Sequence, residues 1–417
     1  MKIRKIKKKI PVYDITVEDN HNFYANEILV HNCTEINLPS FPNEDFEFLV
    51  KSKKNFTNFI ERLYDEGIWY QLYRFMYYGT FDDKNKDIVN EFKEHLSEDG
   101  QPYKLNFGET FSCILGGINF GTLPIDKEKR RKELKESMSI MVNFLDEMID
   151  YQDYAGIDTF ERFTKNRRAL GISPGSLFHM LARYGYDYDS EEARRLVHEV
   201  MEEMLYFGIL ASMELAKEKG ACKWFKDTKY SDGIFPIDTY NKNVDTLLED
   251  SSLELDWDWL REQVLIYGMR NSTILTAVPS SNSSRPANMI SGINPPQSLS
   301  YNVEDQKMKV AGLLPDIKKY LPFYNRNIAW DIDIIEYWKL IAIFQKFIDQ
   351  AISINEYVNY TKYPEKKIPF EEVSKRDLFT VLFGLKSVYY AKTKTEDDDE
   401  ELQDESDEGC SGGGCTL

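Results

Sequence analysis

The sequence predicts an α/β chain, and three observations carry that prediction. Long amphipathic helical patterns fill the chain from about residue 42, short apolar β-prone runs lie between them, and neither type segregates to one half. With 42% hydrophobic and 14% aromatic side chains, 417 residues can bury a large core and hold two or three ordinary domains. No internal repeat is found.

Residues 10–31 alternate apolar and polar side chains in two β-prone runs, "IPVYDITV" and "EILVH", on either side of the turn-rich "EDNHNFYAN". This predicts a small β element, too short to fold without a partner. Further on, "SCILGGINF", "GIFPI" and "STILTAV" are strand candidates. One helix is expected to open at Asp189, with Glu192 three residues on as in a capping box. Ala193, Leu196, Val197, Val200, Met204 and Leu205 then line its apolar face, and it runs to Gly220. Another helix is expected from Ile334 to about Ile354. Past Lys394 the composition turns acidic and ends in "GCSGGGCTL", a flexible tail. The pattern thus has three parts: a short β segment, a long α/β body and an acidic tail.

The formal net charge of −18 is unevenly spread. Six Lys/Arg fall in the first nine residues, whereas residues 396–408 hold ten acids and no base. Nothing between them forms a basic stripe, so nucleic acid is not an expected partner. No apolar run reaches the roughly 18 residues of a membrane span, and the basic start lacks the apolar core of a signal peptide, so a cytoplasmic protein without a membrane partner is expected. The five cysteines, at 33, 113, 222, 410 and 415, are odd in number and thinly spread, which favours reduced thiols over structural bridges.

"HNC", residues 31–33, brings two chemistries together. Asn32 can cyclise on its own backbone carbonyl if His31 polarises that carbonyl, and the Cys33 thiol can hold an acyl group as a thioester. Other candidates have two readings each. Cys113, on an apolar run, is either a small buried hydrophobe or a reactive thiol. "VPSSNSS" offers hydroxyls and N–H groups that could cradle a diphosphate, or forms a polar surface turn. Tyr389 and Tyr390 suit a core or an interface. Cys410 and Cys415 supply only two ligands, too few for zinc, so a mobile dithiol fits better. Cys222, in "GACKWF", is read as structural.

The longer stretch "VYDITVEDNHNFYANEILVHNC" resembles the C-terminal end of an intein, the self-splicing element. The resemblance implies that Asn32 cyclises with help from His31 and His21, and that Cys33 is the first residue retained. Met1 stands only 31 residues before Asn32, so a split-intein C-terminal fragment is expected. Lys2, Arg4, Lys5, Lys7, Lys8 and Lys9 would then attract an acidic N-terminal fragment.

From Cys33 to Leu417 the chain resembles the C-terminal half of the large subunit of class I ribonucleotide reductases. "CTEINLP", "FSCILGGINFG", "RNSTILTAVPSSNSS", "SGINPP", "FQKFIDQAIS", "VYYAKT" and "GCSGGGC" agree in order. The resemblance implies the second half of a ten-stranded α/β barrel, entered at the loop of the reactive cysteine. It assigns Cys33 as the thiyl that takes a hydrogen atom from the 3' carbon, and Glu35 as general base on the 3'-hydroxyl. Cys113 becomes one of two reducing cysteines, its partner lying upstream. The family's Asn two residues before the thiyl cysteine must also come from upstream, since Asn32 leaves with the intein.

Pro279, Ser280, Ser281, Asn282 and Ser283 are assigned to substrate, with Ser281 and Asn282 standing where Glu and Thr are commoner. Tyr389 and Tyr390 become the pair that relays the radical, and Cys410 and Cys415 the dithiol recharged by thioredoxin or glutaredoxin. No cofactor or metal is expected on this chain. The radical comes from a metal-containing small (beta) subunit, and nucleotide effectors bind mainly the missing N-terminal half. The expected function is that of a trans-splicing precursor of a ribonucleoside-diphosphate reductase large subunit, dimeric after splicing and in the host cytoplasm if phage-encoded. The alternative is chiefly an autoprocessing module with inert cargo.

Overall fold

The structure, a computed structural model, describes residues 22–25, 28–31, 53–67, 86–95, 111–154, 158–279, 284, 287–305, 308–385 and 387–395. Its first element is an antiparallel hairpin of β1 (Asn22–Ala25) and β2 (Ile28–His31), in which Asn22 faces His31 and Ala25 faces Ile28. The "EILVH" run is therefore a strand as expected. Its partner, however, is "NFYA" from the stretch read as turn-rich, because Phe23 and Tyr24 bring β propensity that the surrounding Asn and Asp residues masked. The other expected run, "IPVYDITV", lies outside the described residues.

Two amphipathic helices follow, α1 (Lys53–Asp65) and α2 (Lys86–His95), tied by a 2.5 Å ion pair between Arg62 and Glu91. Then comes a parallel unit. Strand β3 (Ile114–Asn119) pairs with β4 (Leu170–Gly175), and the crossover contains α3 (Lys127–Tyr151) and α4 (Asp158–Arg167). Asp126 caps α3 by accepting the Lys129 N–H, and Leu134, Met138, Val142, Leu145 and Ile149 form its buried stripe. Gly116 allows that helix to lie close on the strand, since a Cβ there would stand 2.7 Å from Met141 Sδ.

Helix α5 (Leu177–Tyr184) leads into α6 (Glu191–Lys219), the central helix of the core. All six residues predicted for its apolar face are buried, and Gly220 ends it. The cap is Ser190 rather than Asp189: its hydroxyl accepts the Ala193 N–H, and the first helical residue shifts accordingly. The helix is buried on its polar side too. Glu202 accepts from the N–H groups of Glu254, Leu255 and the Trp257 indole, and Glu203 pairs with Arg130 and Arg131.

"GIFPI" is not a strand. Pro236 opens a helical turn, Pro236–Thr239, and the Asp238 carboxylate turns back onto the Phe235 N–H. Helix α7 (Trp257–Tyr267) precedes the extended "STILTAV" segment, which meets β4 through a parallel bridge between Ile172 and Leu275. An antiparallel hairpin, β5 (Ser300–Asp305) and β6 (Met308–Leu313), is followed by α8 (Ile317–Arg326) and α9 (Ile334–Phe347). Helix α9 stops well before Ile354. Residue 354 already lies in β7 (Ser353–Asn359), which pairs in parallel with β8 (Ser387–Lys394) across α10 (Phe370–Phe383). Among the described residues no helix is long and apolar enough to cross a membrane.

Candidate functional site

The two faces of the β3–β4 pair differ in kind. Gly116 faces α3, so the alternating positions Cys113, Leu115, Gly117 and Asn119 belong to the face turned away from the helix. In register, Leu115 stands beside Gly171, Gly117 beside Ser173 and Asn119 beside Gly175. Gly171 makes room for the thiol. A Cβ there would lie 2.8 Å from Leu115 Cδ2, 3.0 Å from Cys113 Sγ and 3.1 Å from Thr276 Cγ2. Cys113, half-buried, and Thr276 of the extended segment thus both pack against Gly171, on a face lined by small residues.

That segment is anchored at both ends. At its start, the Asp349 carboxylate accepts the N–H groups of Ile274 (3.0 Å) and Leu275 (2.8 Å) and the Tyr230 hydroxyl. Burial raises the Asp349 carboxyl above its ordinary value, although these donors oppose the shift. This role also explains the early end of α9, because the chain must turn there to present the carboxylate. In the middle, Ile172 donates to Ile274 O (2.8 Å) and Thr276 donates to Ile172 O (3.2 Å). At its far end, exposed Pro279 stands beyond Val278 at the C-terminal ends of the strands, where parallel sheets bind their ligands. Gly292 of "SGINPP" packs there in a left-handed conformation (φ 64°), with a Cβ on it lying 3.5 Å from Pro279 Cα. Sequence reasoning missed Thr276, Asp349 and the residues on β4. Their signal is weak, because they act on backbone far away in the chain.

A cavity of about 840 Å³ opens at the other, N-terminal ends of the strands, with Phe111, Arg167, Tyr240, Thr273 and Lys346 in its wall. The Lys346 ammonium there donates to Asp245 (2.9 Å), to the Ser251 carbonyl (3.2 Å) and to His198 Nε2 (3.0 Å). Cys222 is buried elsewhere, and burial pushes its thiol up to about 11, which suits the structural reading.

Tyr389 and Tyr390 lie in β8. The register there is irregular: Val388 pairs with Ile354 and Tyr390 with Asn355, leaving a bulge at Tyr389. Tyr390 is half-buried, with the Lys392 ammonium 5.1 Å from its ring centre. His31 closes β2 opposite Asn22. His21, Asn32, Cys33, Glu35, Ser280, Ser281, Asn282, Ser283, Cys410 and Cys415 lie outside the described residues. Of the predicted site, then, the described residues bring together Cys113 and the segment leading to Pro279. Among them no group of three or more His, Cys, Asp or Glu is placed to hold a metal.

The family model for the ribonucleotide reductase barrel domain matches residues 10–391. This chain belongs to that family. The match begins inside the first 32 residues and takes in β1 and β2. Among curated proteins, the chain is 36% identical over 316 residues to the ribonucleoside-diphosphate reductase subunit alpha of Haemophilus influenzae, covering 74% of this chain and 40% of that one. It is 37% identical over 275 residues to the ribonucleoside-diphosphate reductase 1 subunit alpha of Escherichia coli (64% and 35%), and 31% identical over 294 residues to the ribonucleoside-diphosphate reductase subunit alpha of Enterobacteria phage T4 (68% and 36%). The chain thus spans about two fifths of the length of these relatives.

Proposed function

We propose that this chain supplies the second half of the large subunit of a class I ribonucleoside-diphosphate reductase, and that it does so as a trans-splicing precursor. The observation that carries the reductase reading is that Cys113 and Thr276 both pack against Gly171, on the face of the parallel strands turned away from α3. Thr276 lies three residues before Pro279, about 10 Å of extended chain. A nucleotide with its phosphates on the Pro279–Ser283 stretch can therefore direct its sugar along the strand toward the thiol.

The chemistry follows from the residue types. Replacing the 2'-hydroxyl by hydrogen releases water and consumes two electrons and two protons, which a dithiol supplies on becoming a disulfide. Cys113 is one of those thiols, and its partner comes from the missing half. The Cys33 thiyl first takes the 3' hydrogen atom, while Glu35 removes the 3'-hydroxyl proton. Tyr389 and Tyr390 pass the radical inward from the small subunit. Tyrosine suits this role because its phenol, with a pKa near 10, can give up an electron and a proton together. Cys410 and Cys415 reduce the disulfide and are recharged by thioredoxin or glutaredoxin. The protein works in the cytoplasm, in deoxyribonucleotide biosynthesis.

In the splicing half of the proposal, residues 1–32 associate with an N-terminal fragment, Asn32 cyclises with help from His21 and His31, and Cys33 receives the upstream acyl group. Residues 33–394 then complete the barrel, and 395–417 form the redox tail. Support for this comes from the "HNC" junction and the block of sequence before it. Cys33→Ser separates the two roles of one residue. A serine hydroxyl still accepts an acyl group, more slowly, so some ligation should survive in co-expression with the companion fragment. It cannot act as a thiyl, so the purified ligated subunit should form no deoxynucleotide by chromatography. Deoxynucleotide formation by fully ligated Cys33→Ser protein refutes the radical role.

A further inference from the structure

The β4 sequence "LGISPGS" carries a proline at a position where a central strand needs an N–H. After Thr276 has donated to Ile172, the next bond of a parallel ladder runs from the residue 174 N–H to the Thr276 carbonyl. Pro174 has no such group. The neighbouring hydroxyl takes over one step later: Ser173 Oγ accepts the Val278 N–H (3.1 Å) and donates to the Val278 carbonyl (3.0 Å). Both backbone groups of the last residue before Pro279 thus depend on one buried serine side chain.

Three residues on, the arrangement recurs at the other end of the same segment. Ser176 donates its N–H to the Ile290 carbonyl (2.9 Å), and its hydroxyl accepts the Ile290 N–H (2.8 Å). It does so from a left-handed backbone conformation (φ 58°), which glycine would adopt without strain. A strained non-glycine residue persists where its surroundings over-determine it, and here the hydroxyl is the group that a glycine would lack. Two lesser contacts support the same end. Asn119 Nδ2 donates to the Ala287 carbonyl (3.3 Å), and a Cβ on Gly175 would stand 2.6 Å from Met289 Sδ, so Met289 lies over the end of β4.

We infer that Ser173 and Ser176 are positioning residues for substrate: they fix where the segment beginning at Pro279 leaves the sheet at Val278 and where it returns at Ile290, and so set the grip on the nucleotide diphosphate. This deepens the reductase proposal and rests on it. Neither hydroxyl touches the reacting atoms, so their loss should weaken substrate binding more than turnover.

The test uses the ligated large subunit with its small subunit and a dithiol. Ser173→Ala and Ser176→Gly should each raise KM for a ribonucleoside diphosphate by about five- to tenfold, with kcat within about twofold of the unsubstituted enzyme. Ser173→Thr keeps the hydroxyl and should restore KM. A merely structural role would lower the active fraction, and hence kcat, and leave KM in place. Unchanged KM in both variants, or loss confined to kcat, overturns the inference. If Ser173→Ala does not fold, Ser176→Gly decides by the same split, since it removes a hydroxyl while relieving backbone strain. Absence of turnover in the unsubstituted ligated enzyme instead overturns the reductase reading itself.

Discussion

Lys346 and His198 stand 3.0 Å apart, nitrogen to nitrogen, both buried. The ammonium spends its three protons on Asp245, the Ser251 carbonyl and His198, so the imidazole accepts at Nε2 and carries its own proton on Nδ1. Burial, and then the Lys346 charge, push His198 down to about 4, with Asp245, Asp250 and Glu254 opposing. The sign follows. Below the ordinary value of 6.5 the unfolded chain takes up a proton that the folded chain refuses, so stability should fall as pH drops from 6.5 towards 4. The full effect is at most roughly 3 kcal/mol. His198→Gln keeps an acceptor for Lys346 without the titration and should flatten that slope. Urea midpoints at pH 7, 6 and 5 measure it, and an equal slope in both proteins counts against the account. Nothing in the sequence singles out His198, because its partner lies 148 residues away. Cys113 drew notice in the sequence for the opposite reason: its motif is local, and the structure sets its thiol beside Gly171 on the face of β3 turned away from α3.

At the scale of elements, periodicity told most where an apolar stripe repeats along the element and least where polar groups act at a distance. The apolar face of α6 was readable to the residue, and β3 and the hairpin strand β2 were readable to within about two residues at their ends. The end of α9 was not, since Asp349 leaves the helical pattern to hold the N–H groups of Ile274 and Leu275. The "GIFPI" turn was missed because five apolar or small residues look alike in a strand and in a capped turn until Pro236 is given its N-terminal role. The packing of α6 on the extended segment gives a test. A Cβ at Gly208 would stand 2.6 Å from Ile274 Cγ2 and 3.0 Å from Met138 Cε. Ala there gains about 1 kcal/mol of helix propensity, which offsets part of an overpacking cost of about 1–3 kcal/mol. Val loses most of that gain and adds two methyl groups against a β-branched neighbour. Gly208→Ala should therefore destabilise by about 0–2 kcal/mol and Gly208→Val by more, about 2–3 kcal/mol. Thermal melts of the two variants order them, and Val melting above Ala would contradict the packing argument.

For the whole molecule, the parallel pairs β3–β4 and β7–β8 each contain two strands among the described residues, and the chain spans about two fifths of its relatives. Strand edges left without a neighbour are costly, and half of a barrel leaves them open. On the proposed reading, the missing strands arrive with the companion fragment, so this chain alone, given small subunit and dithiol, should show no reductase turnover. Joining the fragments then becomes the step on which activity depends, and Asn32 is the residue that completes it. Cyclisation of its side-chain amide cuts the bond to Cys33, whereas the earlier acyl transfer to the Cys33 thiol does not involve that amide. Asn32→Ala should therefore stop the reaction after acyl transfer, which releases the N-terminal intein fragment, and accumulate a branched species, visible by mass spectrometry as the upstream reductase segment joined at Cys33 with residues 1–32 still attached. His31→Ala should slow the same cleavage without abolishing it, because it removes polarisation of the carbonyl and leaves the nucleophile intact. Normal ligation by the Asn32→Ala protein would mean that residues 1–32 are not a splicing element, while the reductase reading of the remaining chain would still stand on its family match.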